Sequence, residues 1–130
     1  MPPESRDRAA DPPEGTAAES GPPPANAYAR SFRRGSFTVV EVCGEMDIAT
    51  ADFLAEHLVA ATTGPGPDVL VDLRRVDFFD CSGLRVLCRA DTRARERGGR
   101  LRIVCDHPRI HRLLHASGLL DRFPPLPEPP

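Results

Sequence analysis

Apolar positions in this chain fall into short runs separated by turn residues, and the period of each run assigns an element. Ser36-Phe37-Thr38-Val39-Val40-Glu41-Val42-Cys43 is apolar and rich in β-branched residues, which suits an extended backbone because branching at Cβ fits a pleated surface. Arg34-Gly35 before it reads as a hairpin turn from a short strand over residues 29–33. Ala51, Leu54, Leu58 and Ala61 then recur at three- and four-residue spacing, the pattern of one buried helix face. Thr50 stands where a cap is needed, and Gly64-Pro65-Gly66-Pro67 stops the helix. Val69-Leu70-Val71-Asp72-Leu73 is nearly continuous, as in a strand covered on both faces. Leu84, Leu87, Cys88 and Ala94 mark a second helix over residues 82–97, closed by Gly98-Gly99, and Leu101-Arg102-Ile103-Val104-Cys105 repeats the strand signal. Pro108 opens a third helix carrying Ile110, Leu113 and Leu114; Gly118 ends it, and residues 119–123 are expected to form a last strand. The order β-β-α-β-α-β-α-β predicts a single α/β domain, a mostly parallel mixed sheet with helices packed on it through right-handed crossovers.

Both ends break this pattern. Residues 1–27 are rich in Pro, Glu, Ala, Ser and Gly with almost no large apolar side chain, so burial cannot offset chain entropy there and a disordered tail is expected. Residues 124–130 hold prolines that suit neither a helix nor a central strand and form a second, Pro-rich tail. The folded unit is expected over residues 28–123. A chain of 130 residues with 40% hydrophobic content suits one core. With a formal net charge of -2 and no Trp, nothing in the balance recruits nucleic acid or an anionic membrane surface, and neither is an expected partner. The opening residues show no apolar stretch behind a basic one, so the expected location is cytoplasmic. Cys43, Cys81, Cys88 and Cys105 lack zinc-ribbon spacing; no disulfide framework, metal or other cofactor is expected.

The segment Asp77-Phe78-Phe79-Asp80-Cys81-Ser82-Gly83-Leu84 lies where a strand passes through a loop into a helix. Backbone N–H groups of a first helical turn converge on an anion, so a hydroxyl at that spot can carry a phosphate facing the positive end of the helix dipole. The same residue types also serve as a plain helix cap, and local chemistry leaves both readings open.

Several landmarks in order resemble the STAS family, and within it the bacterial anti-sigma factor antagonists. They are Val42-Cys43-Gly44-Glu45-Met46-Asp47, Asp80-Cys81-Ser82-Gly83-Leu84, Gly98-Gly99 before a strand, and Pro108 to Leu114 followed by Ala116-Ser117-Gly118-Leu119. The resemblance implies a binding module rather than an enzyme. Ser82 maps onto the serine phosphorylated by a partner that is both ATP-binding serine kinase and anti-sigma factor, and a separate serine phosphatase would restore the active form. It also implies partner binding through Asp80, Cys81, Ser82, Gly83 and Leu84 of the phosphorylation loop and through Asp47 in the Gly-Glu-x-Asp turn. Two departures stand out. Cys81 occupies a position where relatives often carry Ser, which leaves one obvious acceptor, and a proline run replaces the final helix of many relatives, which leaves one sheet face less covered. The alternatives are a STAS scaffold that is not phosphorylated and a small thiol- or metal-dependent enzyme.

Other constellations are weaker. A helix N-terminus favours a Cys81 thiolate, but the neighbouring Asp80 opposes it. Cys88 is two turns on, roughly 10 Å away and out of disulfide reach within one helix. Gly-x-Ser-x-Gly is absent around Ser82, against a serine hydrolase. His107, His111 and His115 share a helical stripe that could hold a metal, but it is offset by about 100° from the apolar face, as a solvated surface is. His57 is expected to be an unrelated surface residue.

Overall fold

The computed structural model describes residues 22–130, so most of the tail expected over residues 1–27 lies outside the described residues. The elements run β1 (Ala29–Arg34), β2 (Phe37–Met46), α1 (Ala51–Ala61), β3 (Asp68–Phe79), α2 (Cys81–Glu96), β4 (Arg100–Val104) and α3 (Pro108–Ala116). Their sheet is four-stranded in the order β1-β2-β3-β4. β1 and β2 form an antiparallel hairpin, while β2/β3 and β3/β4 are parallel. A hairpin closes through a tight turn, whereas parallel neighbours need a crossover, and α1 and α2 supply the two crossovers. Among the described residues no helix is long and apolar enough to cross a membrane.

Alternation along the strands divides the sheet into two faces. Val40, Val71 and Ile103 lie in one row across β2, β3 and β4; they enter the main core with Leu54 and Leu58 of α1, Leu84 and Leu87 of α2, and Ile110 and Leu114 of α3. Val39, Leu70 and Val104 face the other way and form a smaller cluster with Phe32, Phe37 and Leu126.

The last strand expected over residues 119–123 does not form; those residues turn, and Phe123 is buried. Pairing with β4 falls instead to Leu126, which makes a single parallel bridge to Val104. The Leu126 N–H donates to the Ile103 carbonyl (3.0 Å) and the Cys105 N–H to the Leu126 carbonyl (2.8 Å). Pro124, Pro125 and Pro127 have no N–H, so among residues 124–127 Leu126 is the one that can complete a ladder step. Its side chain also covers part of the sheet face that the proline run was expected to leave bare. The segment before it is pinned to α2, where buried Asp91 accepts from Arg122 Nε at 2.7 Å and Arg95 Nε at 3.1 Å.

His57 is fully buried, which corrects the expectation of a surface residue. Its Nδ1 meets the Ser31 hydroxyl at 2.5 Å and its Nε2 the Pro24 carbonyl at 3.2 Å. Position 57 adjoins Leu58 on the buried arc of α1, and the ring is tolerated there because both nitrogens are satisfied.

Asp72 is a buried carboxylate on the smaller face. Burial pushes its carboxyl up, but Arg74, donating from Nε (3.0 Å) and Nη2 (2.8 Å), outweighs this together with the charge of Arg75 and holds it below its ordinary value. With the folded value lowered, the stability it contributes is complete above about pH 4, the ordinary value, and is lost as pH falls from there through the lowered folded value. In Arg74→Ala the burial remains and the main opposing cause is gone, so Asp72 should titrate higher than in the unsubstituted chain. Carboxyl NMR titration of both proteins checks this; equal midpoints would show that Arg74 does not set the value.

Candidate functional site

β2 and β3 end side by side at the pair Met46 and Phe79. The Asp80 N–H then donates to the Met46 carbonyl at 3.2 Å, so the loops leading into α1 and α2 depart from one point. This is the carboxyl end of adjacent parallel strands, where open α/β sheets place their ligands.

Asp80 is the N-cap of α2, in extended backbone, and its Oδ1 accepts from the Ser82 N–H at 2.8 Å. Behind it Cys81 is exposed, Ser82 half-buried, and Gly83 and Leu84 buried. Among the described residues the Ser82 hydroxyl takes part in no hydrogen bond, which leaves it available to an incoming group. Gly83 is required by a close approach: a Cβ there would lie 2.6 Å from Cζ of the Phe79 ring. Gly83→Ala forces that ring to move. An overpacked site of this kind costs about 1–3 kcal/mol, to be read from urea denaturation, and an unchanged midpoint would show that the ring relocates freely.

Asp47 organises the neighbouring loop. Its Oδ1 accepts from the Ala49 N–H (2.9 Å) and the Thr50 N–H (3.2 Å). Thr50 occupies the N-cap position of α1, but its side chain makes no capping hydrogen bond. It turns back instead, donating from Oγ1 to the Glu45 carbonyl (2.7 Å) and accepting from the Asp47 N–H (2.9 Å). Its φ of -115° and ψ of -10° depart from the extended backbone that lets a cap side chain reach its own helix; the Asp47 side chain holds the turn ahead of α1, and the first helical amide, Ala51 N–H, donates to the Asp47 carbonyl at 2.8 Å.

The structure therefore brings Asp47, Asp80, Cys81 and Ser82 to one mouth, with Gly83 and Leu84 beneath it. It adds two residues that sequence reasoning missed: Ile48, 83% exposed beside Asp47, and Phe78, 48% exposed two residues before Asp80. For Ile48 the available signal was a bulky apolar residue inside an otherwise polar turn, whereas Phe78 lies in β3 and only its exposure singles it out. Of the histidine stripe, His107 comes near this end, lining a small cavity with Phe78 and Phe79. His107 caps α3, its Nδ1 accepting from the Arg109 N–H at 3.3 Å, while His111 and His115 are exposed. Among the described residues no group of three His, Cys, Asp or Glu is arranged to hold a metal, and the four cysteines are free.

Residues 28–128 match the family model of the STAS domain. The chain belongs to the STAS family. This STAS domain is 35% identical over 92 residues to the anti-sigma-F factor antagonist RsfA of Mycobacterium tuberculosis, covering 68% of this chain and 71% of that protein. It is 32% identical over 88 residues to an anti-sigma F factor antagonist of Paenibacillus polymyxa, covering 66% and 74%. Among solved structures, an anti-sigma factor antagonist from Mycobacterium paratuberculosis superposes with a TM-score of 0.71 at 27% identity, over 82% of this chain and 91% of that one.

Proposed function

We propose that this STAS domain is a cytoplasmic anti-sigma factor antagonist that, with Ser82 unmodified, captures an anti-sigma factor of the ATP-binding serine-kinase type and so frees a sigma factor. The observation that carries the reading is the Ser82 hydroxyl, half-buried and without an internal partner among the described residues, beside the Asp80 cap and the Asp47 turn. The relatives named as anti-sigma factor antagonists support it. Asp47, Asp80, Cys81 and Ser82 form the contact surface, and Gly83 and Leu84 hold it from below.

The chemistry belongs to the partners. The Ser82 oxygen attacks the γ-phosphorus of the kinase's ATP, the bond to ADP breaks, and the hydroxyl proton is released. A serine phosphatase later hydrolyses the ester with water, returning the hydroxyl and inorganic phosphate. Asp80 makes the modified state unlike the unmodified one, because its carboxylate already holds the Ser82 amide. A phosphate arriving next to it adds like charge at a helix N-terminus whose nearest donor is taken.

Incubation with the purified anti-sigma factor and Mg-ATP, followed by mass spectrometry, tests this. Phosphate is expected on Ser82 alone, and Ser82→Ala should stay unlabelled while still binding the partner. Labelling at another residue, or no labelling with binding intact, would leave a scaffold without a switch.

A further inference from the structure

Arg85, Arg89, Arg93 and Arg97 recur every fourth residue along α2 and its C-cap. That spacing lays them in one ridge on the helix surface, roughly 18 Å from end to end. Arg85, Arg89 and Arg97 are exposed and Arg93 is half-buried.

Like charges at this spacing repel, and helices ordinarily alternate them with carboxylates. Here the positions three and four residues from Arg85 and Arg89 hold Cys81, Ser82, Val86, Cys88, Thr92 and other members of the ridge. Arg95, on a different face, shows the ordinary solution: it pairs with Asp91 one turn before it. Among the described residues none of the four ridge arginines joins an ion pair. The lower half is held by neutral acceptors at the end of α1, Arg93 Nε donating to the Thr62 hydroxyl and Arg97 Nε to the Thr63 carbonyl, each at 3.0 Å. Those bonds fix the guanidinium groups without cancelling their charge. Burial, and then the charges of Arg97 and Arg89, lower the Arg93 guanidinium below its ordinary value. The upper half, Arg85 and Arg89, has no such anchor among the described residues and starts one turn from Ser82.

We propose that this arginine ridge, through Arg85 and Arg89 above all, is the docking surface for an acidic face of the anti-sigma partner, a reading that rests on the function proposed above. Four guanidinium groups in a row, without an ion-pair partner among the described residues, call for carboxylates opposite them, and the ridge is continuous with the Ser82 surface. Arg85 also lies three residues after Ser82, on the same side of the first turn. A negative group on Ser82 can therefore pair with Arg85 inside the chain and withdraw it from the partner.

The test is stopped-flow association of the full chain with the purified serine-kinase-type anti-sigma factor over a sodium chloride series. The double variant Arg85→Glu/Arg89→Glu is compared with Arg85→Lys/Arg89→Lys and with Arg34→Glu, a control on the exposed hairpin. The glutamate pair should associate at least about tenfold more slowly at low salt and lose most of the salt dependence. The lysine pair and the hairpin control should keep both, and thermal melting should show all variants folded. Equal rates and salt slopes for the glutamate pair and the unsubstituted chain would overturn the ridge and leave the proposed function standing. No binding by the unsubstituted chain would overturn both. Binding of the unsubstituted chain to phosphatidylserine vesicles or duplex DNA, lost in the glutamate pair while partner association is unchanged, would overturn the protein-docking role.

Discussion

The chain phosphorylated on Ser82 should bind its anti-sigma partner about two orders of magnitude more weakly than the unmodified chain, from a penalty of about 3 kcal/mol. The phosphate adds between about one and a half and two negative charges to a surface that already carries Asp47 and Asp80. An interface formed around a neutral hydroxyl must then desolvate that charge or separate. Removing the hydroxyl is a much smaller change. Among the described residues it makes no hydrogen bond, and the α2 cap is supplied by Asp80, so Ser82→Ala should bind within a few-fold of the unmodified chain. Ser82→Asp carries less charge than phosphate and should fall between the two. Calorimetry on the three proteins and on the enzymatically phosphorylated chain decides the order, and equal affinity of the phosphorylated and unmodified forms would rule out the switch.

Gly99→Ala should be among the most damaging single-atom additions to this chain. A Cβ there would lie 1.9 Å from the Pro67 carbonyl oxygen and 2.5 Å from the Pro67 nitrogen, both backbone atoms that no rotamer change can move. The contact is clamped on either side, by the Arg100 N–H donating to the Pro67 carbonyl (2.7 Å) and the Gly66 N–H to the Arg97 carbonyl (2.8 Å). Relieving the overlap breaks one or both bonds and shifts the start of β4. We expect a loss of about 3 kcal/mol or more. For a domain of this size that is a fall of roughly 15 °C in melting temperature. Gly64→Ala is the matched control in the same loop system, since nothing lies within 4 Å of a Cβ there. Scanning calorimetry of the two variants checks the contrast, and similar melting temperatures would show that the loop yields easily.

Residues that act on neighbours within one helical turn are legible in the sequence. Leu54 and Leu58 mark α1, the run from Val69 to Leu73 marks β3, and Asp80 beside Ser82 marks the start of α2, because periodicity and capping depend on side chains a few positions apart. The landmarks resembling the STAS family agree with the match over residues 28–128. Where the local pattern misleads, the deciding partner is distant or the backbone angle is not written in the residue type. His57 is buried because Pro24 and Ser31 satisfy its ring, and neither is near it in sequence. Thr50 has the right chemistry for a cap but the wrong φ and ψ, and its hydroxyl bonds back to Glu45 and Asp47 instead.

The α/β order as far as the third helix and the helix faces are thus properties of the chain as written. Three features are not. Leu126 rather than residues 119–123 pairs with β4, Gly83 must be bare because Phe79 lies on it, and the ridge arginines of α2 have no carboxylate opposite them among the described residues. Each turns on how whole elements come to rest against one another, and such contacts follow from the stacking of helices on the sheet rather than from the local preference of any one segment.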